Sequence, residues 1–199
     1  MQEYWITEYG AVADGVTNCA AAIQAAVDAA AQAGGGRVMV PAGRFLSGSV
    51  MLRSHVELHL CSGAVLQSSL RPEDIRPFRH ADADDAMDGW NGGFFLGACG
   101  QDITISGSGV IDGQGRRVFF DRNEDNGFGE CPKAAAAFRP RMILLEDITD
   151  LTIRDVTLRD AAFWTLHMAG CRRVRIRDIR ILNDDRGANN DGIDPDCCQ

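Results

Sequence analysis

The segment Leu151-Thr-Ile153-Arg-Asp-Val156-Thr-Leu158 returns as Val174-Arg-Ile176-Arg-Asp-Ile179-Arg-Ile181, position for position, at an offset of 23. In each copy apolar, mostly β-branched residues hold one side of a period-two alternation, and Thr, Arg and Asp hold the other. That is the signature of a strand with one buried face. The Arg-Asp dipeptide at 154–155 recurs at 177–178, so register survives the corner as well as the strand. A sandwich does not require successive units to keep register. A parallel β-helix does, because each coil buries its apolar side on its neighbours. A second alignment sets His167-Met-Ala-Gly-Cys171 against Asp194-Pro-Asp-Cys-Cys198 at an offset of 27, stacking His167 below Asp194 and Trp164 below Asp191. The four extra residues then fall in 182–188, a polar loop rich in turn formers and placed to wall a cleft.

The rest of the chain fits an all-β solenoid with one helix near its start. Thr17 or Asn18 can cap a helix over 17–33, Ile23 and Val27 give it an apolar stripe, and Gly34 stops it. Its small alanine face suits a plug over one end of the coils. Short alternating runs at 37–40, 50–52, 56–60, 64–67, 102–106 and 110–112 read as strands. The alanines at 134–137 suggest one helical turn, and the acidic cluster Asp82, Asp84, Asp85 and Asp88 a solvated loop. The expectation is a single domain over 1–199, with a capping segment at 1–48 and coils at 49–199.

Composition narrows the functions. A net charge of −8 speaks against nucleic acid, and no run of 18 apolar residues indicates a membrane span. The first residues lack the basic and apolar regions of a signal peptide, which places the chain as written in the cytoplasm. Seven cysteines show no Cys-x-x-Cys pair and no histidine spacing for zinc, so buried free thiols are expected. Residues 139–180 hold nine arginines against six acids, or +3 locally within a −8 chain. This would ease the approach of a polyanion, although Arg–Asp pairs between stacked coils explain it equally well.

Candidate chemistry concentrates in Asn189-Asn190-Asp191-Gly192-Ile193-Asp194-Pro195-Asp196. Read as a strand, it puts Asn189 and Asp191 on one face, with Gly192 permitting a bulge that returns Asp194 to the same side. The outcome is an acidic row facing one cleft. Polar strand rows are commonly just solvated faces.

These motifs together resemble glycoside hydrolase family 28, the polygalacturonases and their relatives. The resemblance is carried by Tyr9-Gly-Ala-Val-Ala-Asp-Gly through Val-Pro-Ala-Gly-Arg-Phe45, by Ile105-Ser-Gly-Ser-Gly-Val-Ile-Asp-Gly-Gln-Gly115 and by Phe163-Trp-Thr-Leu-His167. Asn189-Asn-Asp-Gly-Ile-Asp194 is similar to the family's first catalytic motif, Asn-Thr-Asp-Gly-x-Asp. The resemblance implies a right-handed parallel β-helix of the pectin-lyase-like kind. It also implies inverting hydrolysis of galacturonide links in pectin, with an acidic polysaccharide or oligogalacturonide as partner and neither cofactor nor metal. Asp191 takes the role of a water-activating catalytic carboxylate, and Asn189, Asp194 and His167 that of substrate lining.

The chain departs from the family in reaching Gln199 before the later Asp-Asp pair, Gly-His-Gly and Arg-x-Lys. Inverting hydrolysis needs an acid opposite the base, so Asp191 alone supplies half of a mechanism. The expectation is a β-helix lacking its C-terminal coils, inactive and poorly soluble as given. The other function class is a non-catalytic solenoid that binds acidic polysaccharide or serves structurally. Asp184–Asp185 lies on the loop before the motif and is not taken as the missing pair. Asp191, Asp194 and Asp196 imitate a calcium site only superficially.

Overall fold

In a computed structural model the described residues are 1–78, 92–121 and 133–199. The acidic cluster at 82–88 and Cys131 lie outside them. The chain winds through three parallel sheets, one strand in each per coil. The first sheet stacks β1 (Glu3–Trp5), β3 (Gly36–Val40), β6 (Val56–Leu60), β9 (Gln101–Gly107), β14 (Thr149–Arg154) and β17 (Arg175–Arg177). The second stacks β2 (Asp14–Asn18), β4 (Gly43–Ser47), β7 (Ala64–Ser68), β10 (Val110–Asp112), β15 (Thr157–Arg159) and β18 (Arg180–Leu182). The third stacks β5 (Val50–Met51), β8 (Gly93–Ala98), β13 (Arg141–Glu146), β16 (Leu166–Ala169) and β19 (Ile193–Asp196). The ladders thus begin well before residue 49.

Both expected offsets are present. Ile153 pairs with Ile176 and Leu158 with Ile181, 23 residues apart, while His167 pairs with Asp194, 27 apart. Alternation sends one apolar column from each sheet into the interior. Val38, Leu58, Ile105 and Ile153 form the first, and Phe45, Leu66, Ile111 and Leu158 the second. Val50, Phe95, Ile143 and Leu166 form the third, and every member of the three columns is fully buried. Ile176 and Ile181 continue the first two columns, and Ile179 at the corner between them packs on the same core, all three half-buried. Each fully buried aliphatic side chain contributes about 1.5–3 kcal/mol, so the columns are the main source of stability.

Left-handed residues stacked in register make the corner between the first two sheets: Gly107 (φ 103°), Asp155 (φ 68°) and Asp178 (φ 55°). A Cβ at position 107 would lie 2.1 Å from the Leu60 carbonyl oxygen, so that level requires glycine. Aspartate tolerates this conformation, and each is held by the arginine before it, Arg154 Nη1 to Asp155 at 2.7 Å and Arg177 Nη1 to Asp178 at 3.0 Å. The repeated Arg-Asp dipeptide is therefore a corner device.

The helix, α1 (Ala20–Gln32), covers the first coils. Ile23, Ala26, Val27 and Ala30 are fully buried on one stripe, and Gly34, at φ 88°, ends it. It starts later than the expected residue 17. Thr17 is committed elsewhere: its N–H and hydroxyl both donate to Asp14, at 2.8 and 2.7 Å. Asn18 does serve the helix start, its Oδ1 accepting from the Ala20 N–H at 2.9 Å and also from Gly48 at 3.0 Å. The alanines expected to form a helical turn instead include a strand, β12 (Ala134–Ala135), antiparallel to β11 (Phe119–Phe120). Of the described cysteines, all free thiols, only Cys19 and Cys171 are buried. Burial pushes the Cys171 thiol up to about 11. Cys61 and Cys198 are half-buried and Cys99 and Cys197 exposed, which corrects the expectation of uniformly buried thiols.

The connections from the second sheet to the third carry the long insertions: 69–92, 113–140 and 183–192. By contrast, strands of the first and second sheets are joined by a few residues. One corner of the prism therefore gathers the loops, and it opens beside the third sheet.

Candidate active site

The outward face of the third sheet changes character along its length. Met51, Leu96, Leu144, His167 and Asp194 stack in one outward column. The first three pack with Phe78 in a satellite apolar cluster. The last two form the polar end, and Ala98, Glu146, Ala169 and Asp196 make the neighbouring column. Period two thus puts Asp194 and Asp196 on one face.

Asn189 and Asp191 do not lie on that strand, which corrects the expected row. β19 begins only at Ile193. Asn189 adopts φ 56°, a left-handed turn incompatible with a continuous strand, and its Oδ1 accepts from Arg139 Nη2 at 3.1 Å. Gly192 makes no bulge, since it has no positive φ and an added Cβ would meet only Ile181 at an ordinary 3.5 Å. Asp191 nevertheless stays beside Asp194, because the Thr165 N–H donates to its carbonyl at 3.0 Å and continues the ladder past the strand end.

Asn183 sets the loop. Its Nδ2 donates to Thr165 Oγ1 and to the Asn190 carbonyl, both at 2.7 Å, and its Oδ1 accepts from the Ala161 N–H at 3.0 Å. Asn190 Nδ2 returns a bond to the Asp184 carbonyl at 2.7 Å. Asp184 is ion-paired with Lys133, and that bond, joined by the Arg186 N–H, holds its carboxyl below the usual range. With Lys133, Arg116 and Asp160 the loop lines a cavity of about 600 Å³, but Asp191, Asp194 and His167 are not among its lining residues, so it is not the cleft expected over the acidic row.

Three of the four expected site residues come together. Burial pushes the Asp194 carboxyl above its ordinary value, and the negative charges of Asp191 and Asp196 push the same way. His167 and Arg141 oppose this but do not cancel it. Asp191 is exposed, and among the described residues no hydrogen-bond donor meets its carboxylate. His167 is only 6% exposed, with Nε2 at 2.7 Å from Asp196 Oδ2 and its ring edge-on to Trp164 at 4.7 Å. The Arg141 guanidinium lies 4.7 Å from the Trp164 ring centroid and 5.1 Å from that of Phe163. The fourth residue, Asn189, sits on the same loop but turns its amide oxygen to Arg139.

Sequence reasoning had not singled out Asp196, Arg141 or Asn183. The parity of Asp196 with Asp194 was an available signal. Arg141 and Asn183 gave none, because their partners depend on how the loop folds.

An exposed carboxylate beside a half-buried, reluctantly ionised one suits proton transfer to and from water. The sequence profile of the glycosyl hydrolases family 28 matches residues 37–199, and that of rhamnogalacturonase A/epimerase, pectate lyase-like, matches residues 5–61. A probable polygalacturonase of Vitis vinifera is 33% identical over 97% of this chain and 39% of its own length. An exo-poly-alpha-D-galacturonosidase of Dickeya chrysanthemi is 35% identical over 61% of this chain and 21% of its own. The chain therefore spans well under half the length of these relatives. The exopolygalacturonase of Thermotoga maritima superposes with a TM-score of 0.76 at 24% identity, covering 99% of this chain and 50% of that one. It shares the fold, a right-handed parallel β-helix. With its profile matched from the second coil onward, this chain belongs to glycosyl hydrolases family 28.

Proposed function

We propose that the protein hydrolyses galacturonide links of pectin or oligogalacturonides with inversion, and that Asp191 is the carboxylate that activates water. The observation that carries this reading is the exposed Asp191 carboxylate, placed beside Asp194, whose own carboxyl is held up by burial. Asp191 accepts a proton from the attacking water as its oxygen bonds to the anomeric carbon. The glycosidic oxygen departs from the opposite face, taking a proton from a general acid. Only the water-activating side is assigned to these residues. Asp194, His167 and Asn189 line the saccharide. A carboxyl that resists ionisation suits Asp194 to hydrogen bonding with sugar hydroxyls rather than to repelling a uronate.

The test is a reducing-end assay on polygalacturonate with this sequence in its full-length parent, where the general acid is also supplied. Asp191→Asn is expected to leave folding intact and to lower kcat by about two to four orders of magnitude, the usual share of a positioned base. Asp184→Asn, on the loop before the motif and already ion-paired with Lys133, is the control and is expected to cost little. Equal activity of the two variants would refute the assignment.

A further inference from the structure

His167 is held by three neighbours, and only one of them fixes its proton. Trp164 sets the ring plane and Asp194 stacks on it in register, but Asp196 meets Nε2 at 2.7 Å. An ionised carboxylate is an acceptor only, so the proton in that contact belongs to Nε2, and in the neutral ring Nδ1 is then the acceptor. Nδ1 then remains, buried and without a hydrogen-bond partner, and so does Asp194 Oδ2 on the adjacent coil. Buried polar atoms are nearly always paired, and two orphans on residues paired in register on adjacent coils, next to Asp191, point to a group supplied from outside. The Asp196 side chain is itself 65% exposed, so packing does not account for it.

We propose that Asp196 is a positioning residue that pins His167 in its Nε2–H form, so that Nδ1 and Asp194 Oδ2 together receive neighbouring hydroxyl groups of a sugar ring. The inference rests on the reading of these residues as a galacturonan site. One hydroxyl donates to the bare Nδ1 and the next to Asp194. Without the Asp196 carboxylate the ring is free to carry its proton on Nδ1, presenting a donor where a hydroxyl proton must go. Electrostatics alone predicts the reverse outcome, because deleting an anion should tighten the binding of a uronate.

Two measurements on the full chain decide it. Long-range nitrogen NMR of the histidines, assigned with His167→Gln, is expected to show Nε2–H and a bare Nδ1 in the wild type. Asp196→Ala should populate the Nδ1–H form, and Asp196→Glu, which keeps a carboxylate, should restore the original. Calorimetry with trigalacturonate should show Kd about tenfold weaker for Asp196→Ala, the loss of one oriented hydrogen bond. His167→Gln should weaken binding by a similar factor, and the double variant should be no weaker than either single one, as expected for residues acting through one another. Persistence of the Nε2–H form in Asp196→Ala overturns the inference, as does a changed tautomer with binding unchanged or tightened. A wild-type protein that binds no trigalacturonate overturns the galacturonan reading along with it.

Discussion

Replacing Glu57 by alanine tests how the coils are fastened on the face away from the site. Glu57 points outward from β6, with its side chain only 8% exposed. Ser106 Oγ donates to its Oε1 at 2.5 Å, Arg154 Nη2 to the same oxygen at 3.0 Å, and Arg37 Nε to Oε2 at 2.8 Å. Those partners come from β9, β14 and β3, so one carboxylate ties together four successive levels of the first sheet. Burial alone would push its pKa up, but the Ser106 and Arg37 hydrogen bonds outweigh that and hold it below the ordinary 4.5. Breaking a buried ion pair by removing one partner costs about 3–5 kcal/mol. Arg37 and Arg154 remain 33% and 28% exposed, which puts the expected loss at the low end, about 3 kcal/mol. For a chain of this length that is a fall in Tm of about 6–12 °C. The pH dependence supplies an independent check. A carboxylate with a depressed folded pKa stabilises fully above its unfolded value and loses that contribution as pH falls through the folded value. The difference in Tm between wild type and Glu57→Ala should therefore be widest near pH 7 and shrink below pH 4.5 in thermal melts followed by circular dichroism. A variant that melts with the wild type at pH 7, or a gap that persists undiminished in acid, would refute the reasoning.

Other substitutions probe the site and the interior. Asp194→Asn should melt with the wild type in acid and above it at neutral pH. A raised folded pKa means that the fold loses stability as pH climbs from 3.8 through the raised value, and the amide has no such titration. A wild-type Tm without that downward slope relative to the variant would count against the burial of Asp194. Ile153→Ala, in a fully buried column, should lose about 2–5 kcal/mol by urea unfolding, whereas Ile176→Ala, half-buried one level on, should lose clearly less. Equal losses would mean that the two positions are not successive levels of one column.

The parts of the fold that were legible are those where the chain repeats without interruption. Between β14 and β17 the offset is 23, and every inward and outward residue could be assigned from parity alone. The same ladder runs from Leu58 to Ile105 and from Ile105 to Ile153 at offsets of 47 and 48, because insertions intervene between those coils. No local pattern reveals that Arg37, Glu57, Ser106 and Arg154 share one patch. They sit 20, 49 and 97 residues from Glu57, and only the insertion lengths bring them together. The helix start was misplaced for a simpler reason: two plausible caps stood side by side, and Asp14 had already claimed Thr17.

At the candidate site the same distinction has a functional meaning. Register predicted His167 under Asp194 correctly, since that pair lies within the strands. Strand parity failed for Asn189 and Asp191, which precede β19 on a connection where an Asn183 clamp and a left-handed Asn189 replace strand geometry, while the Thr165 bond still holds Asp191 in the ladder. A perfectly repeating coil would present a flat outward sheet, with nothing to enclose a sugar chain or to aim a carboxylate across it. All three long connections pass from the second sheet to the third, and the last of them, 183–192, leads into β19 at the polar end of the His167–Asp194 column. The repeat supplies a rigid floor, and the residues that break it supply the wall and the exposed Asp191. Asp191 stands on the irregular loop while its carbonyl is anchored by the Thr165 N–H of the coil below, which gives it both solvent access and a fixed position, as the proposed role requires.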